Sequence, residues 1–241
     1  MRTRRQPEQL TLDRHSWGGR RPGAGRKPGP NPRVLHRSRE KFARGMPCHV
    51  TLKVRPDVPS LRSVKLVDEV ERTFADGCER GEFRLVHYSL QKDHAHLVVE
   101  AKSREALGRG MKAIGARLAR AVNRVFGRRG RVLADRYHLR VLRTPSQVRN
   151  ALAYVLLNAR RHAAKGGKRL SRVRRLDPAS SGRWFEGWRW RPAADGPGPL
   201  LSRGAPVARA RYWLLAEGWR RRGLLDPDEV PGRGGRRKRR R

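Results

Sequence analysis

Between Pro47 and Ala164 the apolar residues switch repeatedly between two spacings, and the order of those switches constrains the fold more than any other feature. Side chains alternate across a strand and return every three or four residues on a helix. Cys48-His49-Val50-Thr51-Leu52-Lys53-Val54 alternates and is stopped by Pro56 and Pro59. Leu61, Val64, Val67, Val70 and Phe74 then follow helical spacing behind Ser60 as a cap, and Gly77 and Gly81 close that stretch. Phe83–Leu90 reads as a second strand and His94–Ala101 as a third, joined by a short turn. Leu107, Met111, Ile114, Leu118, Val122 and Val125 form an apolar stripe behind Ser103 and stop at Gly127 and Gly130. Arg131–Leu142 reads as a fourth strand, with an irregularity expected near Ala134-Asp135. Thr144-Pro145-Ser146-Gln147 combines a cap, a first-turn proline and a capping box, so a last helix runs from there to about Ala164.

The order strand-helix-strand-strand-helix-strand is the split βαβ, or ferredoxin-like, arrangement. It predicts an α+β fold: a βαββαβ antiparallel sheet followed by one further helix. We place that domain at residues 46–165. Residues 1–45 are rich in Arg, Gly and Pro and read as a flexible basic arm. Residues 166–230 form a Trp/Arg-rich extension, with a short helix over Ala208–Gly223 carrying Trp213, Leu214 and Trp219. Residues 231–241 read as a basic disordered tail.

Charge narrows the partner. The 241 residues carry 59 Lys+Arg against 21 Asp+Glu, a formal net charge of +38. Such an excess repels itself unless a polyanion neutralises it, and nucleic acid is the natural candidate. No run is apolar and long enough for a membrane span, and the N-terminus has no apolar signal core, so we expect no membrane partner and a cytoplasmic, nucleoid-associated protein. Cys48 and Cys78 fit a reducing compartment and make no metal cluster.

Two clusters carry chemistry. On the third strand His94 and His96 share one face, with Ala95, Leu97 and Val99 on the other. Two imidazoles so placed can hold one divalent ion, although partnered structural histidines are the commoner outcome. On the last helix Val148, Leu152, Val155, Leu156 and Ala159 make one side, while Asn150, Tyr154, Asn158 and His162 form an i, i+4 ladder off its centre. Tyr154 is thus placed unlike a core tyrosine. Tyr137 is a rival nucleophile, though its position in a strand favours a structural ring. Glu100 shares the face of His94 and His96 and is a weaker candidate ligand.

Three segments in this order resemble the HUH single-tyrosine transposases, in particular the REP-associated tyrosine transposase (IS200-like) branch. They are His94-Ala95-His96 on its strand, Gly130-Arg131-Val132-Leu133-Ala134-Asp135-Arg136-Tyr137-His138, and Tyr154-Val155-Leu156-Leu157-Asn158-Ala159-Arg160. The resemblance covers roughly residues 47–164. It departs at Ala159, where the family often has Pro, and at Lys92-Asp93, which replaces Pro-Asn.

The resemblance implies a metal-dependent transposase that cleaves and rejoins single-stranded or hairpin DNA through a 5′-phosphotyrosine. Tyr154 would be the nucleophile. His94, His96 and Asn158 would hold Mg²⁺ or Mn²⁺. Arg136, Arg160, Arg161 and His162 would meet phosphates, with plain surface charge as the alternative for the arginines. The resemblance does not explain the Trp-rich extension; there Trp184 and Trp188 could stack on unpaired bases, with a satellite apolar cluster as their plainer role. A homodimer stays open, as does use of Tyr154 with a partner's histidines. The alternative is a non-catalytic nucleic-acid-binding protein that keeps the fold.

Overall fold

The computed structural model describes residues 45–166, 176–190, 192 and 204–232. All of them fall within one compact unit, Arg39–Arg241. The basic arm and the tail expected at the two ends lie outside the described residues, except Gly45, Pro231 and Gly232.

Strands β1 (Met46–Lys53), β2 (Glu79–Arg80), β3 (Phe83–Leu90), β4 (His94–Ala101) and β5 (His138–Val141) form one sheet in the order β2-β3-β4-β1-β5. Every neighbouring pair is antiparallel. Apart from the two-residue β2, this is the ferredoxin-like order expected from the sequence. The helices α1 (Val64–Ala75) and α2 (Arg104–Val125) cover one face. Leu66, Val70 and Phe74 of α1 and Leu107, Ile114 and Leu118 of α2 pack there on Cys48, Val50, Leu85, Leu97 and Val99 of the strands. Ser103 caps α2 by accepting from the Ala106 amide at 3.2 Å.

Helix α3 (Pro145–Leu156) lies on the opposite face, where Val148, Leu152 and Val155 pack with Val86 and Val98 of the sheet. Thr144 caps it by accepting from the Gln147 amide, and Gln147 Oε1 reaches back to the Arg143 amide at 2.7 Å. The capping box forms, with its return bond one residue earlier than the standard pattern.

Four expectations are corrected. Helix α1 starts behind Ser63, not Ser60: the Leu61 amide is taken by the Lys92 carbonyl, which holds Leu61 as a core residue in a turn. The fourth strand is only His138–Val141. Its expected first half keeps one antiparallel bridge, Leu133 to Val54, then breaks at the expected irregularity; the Leu133 and Ala134 carbonyls accept from the Arg131 guanidinium. The last helix bends at Leu157 (φ −110°, ψ 20°), and α4 (Asn158–Lys165) continues after it. The bend occurs without proline or glycine. The helix over Ala208–Gly223 is instead α5 (Trp213–Ala216) followed by a 3-10 turn, Gly218–Arg222. Trp213 folds back over Gly218, where any Cβ would lie 2.7 Å from the indole.

The extension completes the second face. Phe185, Leu215, Trp219 and Leu225 join the apolar cluster of α3. Glu100, fully buried on β4, accepts from the amides of Arg211 and Tyr212 at 2.8 and 2.9 Å. It is a structural staple, and its candidacy as a ligand is withdrawn.

Candidate active site

Strand alternation delivers the site. Along β4, His94, His96, Val98 and Glu100 face α3 and the extension, while Ala95, Leu97 and Val99 enter the core beneath α1 and α2. Strand β1 lies alongside with Thr51 opposite His96 and His49 opposite Val98. His49 and Thr51 therefore share the histidine face.

These side chains form a connected group. His94 Nε2 and His96 Nε2 are 3.0 Å apart. His96 Nδ1 lies 3.1 Å from Thr51 Oγ1 and 3.2 Å from His49 Nε2. His94 Nδ1 lies 2.7 Å from Asp93 Oδ1. Burial pushes the His96 imidazole down to about 3, and His49 beside it acts in the same direction. His49 falls to about 4, from burial first and the Arg140 charge second. Both are neutral near pH 7 and offer a ring lone pair.

Helix α3 brings Tyr154 to this group. Its ring meets His96 edge-on at 4.9 Å between centroids and His49 at 5.7 Å. The hydroxyl accepts from Arg161 Nη1 at 3.2 Å, and that guanidinium also lies 4.8 Å from the ring centroid. Tyrosine and histidines thus converge within one chain. One turn later Asn158 is 1% exposed, and neither its Oδ1 nor its Nδ2 finds a hydrogen-bond partner among the described residues. A buried amide in that state costs free energy unless something else satisfies it.

Among the described residues no group of three or more His, Cys, Asp or Glu side chains is arranged to hold a metal ion. Two observations bear on whether the residues present fit a divalent cation. The Nε2 separation of 3.0 Å equals the spacing of about 3 Å between adjacent ligands of an octahedral ion with bonds near 2.1 Å. The orphaned amide of Asn158, one helical turn after Tyr154, leaves a hard oxygen without a partner.

The other sequence candidates are dispersed. His162 is exposed on α4, with its charge and that of Arg161 both reaching His96. Arg160 is held by the extension, donating to the Asp228 carbonyl at 3.2 Å and pairing with its carboxylate at 3.4 Å. Arg136 is exposed in the loop before β5. Tyr137 packs against the core under α1 and α2, on the face away from the histidines. Trp188 donates its indole N–H to Gly182 at 3.0 Å and meets Phe185 edge-on, so the apolar cluster accounts for it. Trp184 carries the Arg183 guanidinium 4.2 Å from its ring centroid. Sequence reading missed His49. Its alternation with Thr51, opposite to Cys48, Val50 and Leu52, was the available signal.

The family model "Transposase IS200 like" matches residues 46–155. No curated protein matches the chain significantly. Among solved structures, a REP-associated tyrosine transposase bound to a REP hairpin aligns at 12% identity and a TM-score of 0.43, covering 54% of this chain and 74% of that one. A candidate transposase from Deinococcus radiodurans R1 aligns at 15% identity and a TM-score of 0.34, covering 43% of this chain and 84% of that one. No helix among the described residues is long and apolar enough to cross a membrane. Over residues 46–155 the chain is thus similar to the IS200-like transposases.

Proposed function

We propose that the protein cleaves and rejoins single-stranded or hairpin DNA through a covalent bond to Tyr154. The observation that carries this reading is the edge contact of Tyr154 with His96, with Arg161 bonded to the phenolic oxygen. The tyrosine oxygen attacks a backbone phosphorus. A phenol O–P bond forms, the P–O3′ bond breaks, and the proton lost by the phenol is balanced by one gained at the departing 3′-oxygen. The product is a 5′-phosphotyrosine and a free 3′-hydroxyl. A 3′-hydroxyl from a second strand reverses the step and joins the two, because the phosphodiester energy is kept in the intermediate.

A phenol is a poor nucleophile near neutral pH. Arg161 supports it by donating to the oxygen on which negative charge develops, and by neutralising the phosphate it attacks. His94, His96 and Asn158 would hold Mg²⁺ or Mn²⁺, with Mn²⁺ the better match to imidazole. Such an ion would polarise the phosphoryl oxygen and orient the phosphate. His49 and Thr51 back His96, and the burial that keeps both imidazoles neutral preserves their lone pairs. Tyr154 would act with the histidines of its own chain. The cationic surface holds the DNA, with Arg136, His162 and Trp184 on exposed or half-exposed positions as contacts.

The test mixes the full-length protein, Mn²⁺ and labelled single-stranded DNA containing a hairpin, resolved on a denaturing gel. A covalent protein–DNA adduct that disappears in Tyr154→Phe supports the reading. An adduct undiminished by that change rejects Tyr154, and salt-sensitive binding with no cleavage by the native protein leaves only a DNA-holding module.

A further inference from the structure

We infer that Asp93 and Thr51, with His49, are positioning residues that aim the Nε2 lone pairs of His94 and His96 at one ion. This rests on the reading of both histidines as ligands. Asp93 immediately precedes His94, and its Oδ1 lies 2.7 Å from His94 Nδ1. A carboxylate only accepts, so His94 carries a hydrogen on Nδ1, and in the neutral ring its Nε2 is then a lone pair. Asp93 is itself largely solvent-exposed, its side chain 61% accessible. It is fixed by its place in the turn before β4 and not by packing.

His96 is backed differently. Its Nδ1 faces Thr51 Oγ1 at 3.1 Å and His49 Nε2 at 3.2 Å, both on the neighbouring strand. Each can accept a hydrogen. When His96 gives its Nε2 lone pair to an ion, its hydrogen sits on Nδ1 and already has two acceptors in place. Without an ion the two Nε2 atoms, 3.0 Å apart, share one hydrogen, carried by His96 and accepted by His94. The same imidazoles thus serve both states by a change of tautomer, with no change of rotamer. A single turn residue orients one ring, and strand register orients the other.

The chemistry at the two backs differs, and this gives the inference its test. Asn at position 93 retains an acceptor oxygen and loses only the charge, whereas Ala loses both. Ser at position 51 retains the hydroxyl, whereas Val keeps the shape and removes the acceptor. The experiment titrates Mn²⁺ into the full-length protein at neutral pH, following free Mn²⁺ by electron paramagnetic resonance. Spin-echo modulation then counts the imidazole nitrogens bound to the ion, and a thermal melt of each variant controls for folding.

The native protein is expected to show two coordinated imidazoles. Asp93→Ala and Thr51→Val should each weaken Mn²⁺ binding about tenfold or more. Asp93→Asn and Thr51→Ser should recover most of that loss. Variants that bind Mn²⁺ as tightly as the native protein, with both nitrogens coordinated, overturn the positioning roles and leave the ion site standing. Native protein that forms the Tyr154 adduct yet shows no nitrogen-coordinated Mn²⁺ overturns the ion site itself, and the positioning roles with it. Equal losses in the Ser and Val variants, or in the Asn and Ala variants, would mean that shape matters and the acceptor does not, which also overturns the inference.

Discussion

The two faces of the sheet share the same strands but not the same chemistry. Under α1 and α2 the inward side chains of β1 and β4 are Cys48, Val50, Leu52, Ala95, Leu97 and Val99. That face is apolar from end to end. The reverse face carries Val86 and Val98 beneath α3, but also His49, Thr51, His96 and Glu100. One face stores cohesion. The other gives some of it up to keep polar groups dry and aimed. A period of two residues lets a strand do both, because changing one side chain does not disturb its neighbour's surroundings.

The adjacent pair His96 and Leu97 offers the sharpest way to break that contrast. His96→Ala should lower DNA cleavage on the order of 1000-fold, measured as adduct formed per folded molecule, while the melting temperature falls less than for a core residue. A melting temperature that drops as far as for a core residue would erase the distinction between the faces. Leu97→Ala, on the fully buried side, should cost about 3 kcal/mol in urea unfolding and leave cleavage per folded molecule intact. Glu100→Gln should cost about 2 kcal/mol by the same measurement, since the amides of Arg211 and Tyr212 lose a charged acceptor.

Acid should unsettle the α3 face first. His87 is buried, bonded through Nδ1 to Ser181 at 3.2 Å, and its burial pushes it from 6.5 down to about 3. The unfolded chain binds that proton first, so stability present above pH 6.5 falls as pH drops, and the loss is complete near pH 3. The slope from this one group reaches at most about 1.4 kcal/mol per pH unit. Unfolding midpoints of the native protein and His87→Gln between pH 4 and 7 should converge in acid; parallel curves would remove His87 as a cause. The smallest effect expected is about 1 kcal/mol for Thr144→Ala, which removes the α3 cap.

How far the sequence discloses all this depends on how local each cause is. The strand alternation around His94 and His96, the stripe from Leu107 to Val125 and the Thr144–Gln147 cap are local, and all appear in the structure. Tyr154 was legible because it stands off the apolar side of its own helix. Alternation with Thr51 marked the face of His49 but not its partner, and nothing local marked the role of Glu100, because each depends on a partner distant in sequence. His49 acts on a residue 47 positions away, and Glu100 binds amides 111 and 112 positions away. Arg160 read as a phosphate contact for the same reason: Asp228 claims it from a later segment. The loop before β5 looked like a strand because nothing in its apolar pattern reveals that Arg131 occupies its carbonyls.

Glu100 has a consequence for the making of the protein. Its two amides lie after position 210, and Trp219 and Leu225 follow. A ribosome emits the strands, α3 and the tyrosine long before it emits the residues that roof them. Until then that side of the nascent sheet is covered by α3 alone, and Glu100 has no amides to bind. A message cut short in that interval would yield a sticky, incomplete chain with a buried carboxylate left unpaired, so quality control can read completeness from the last residues made.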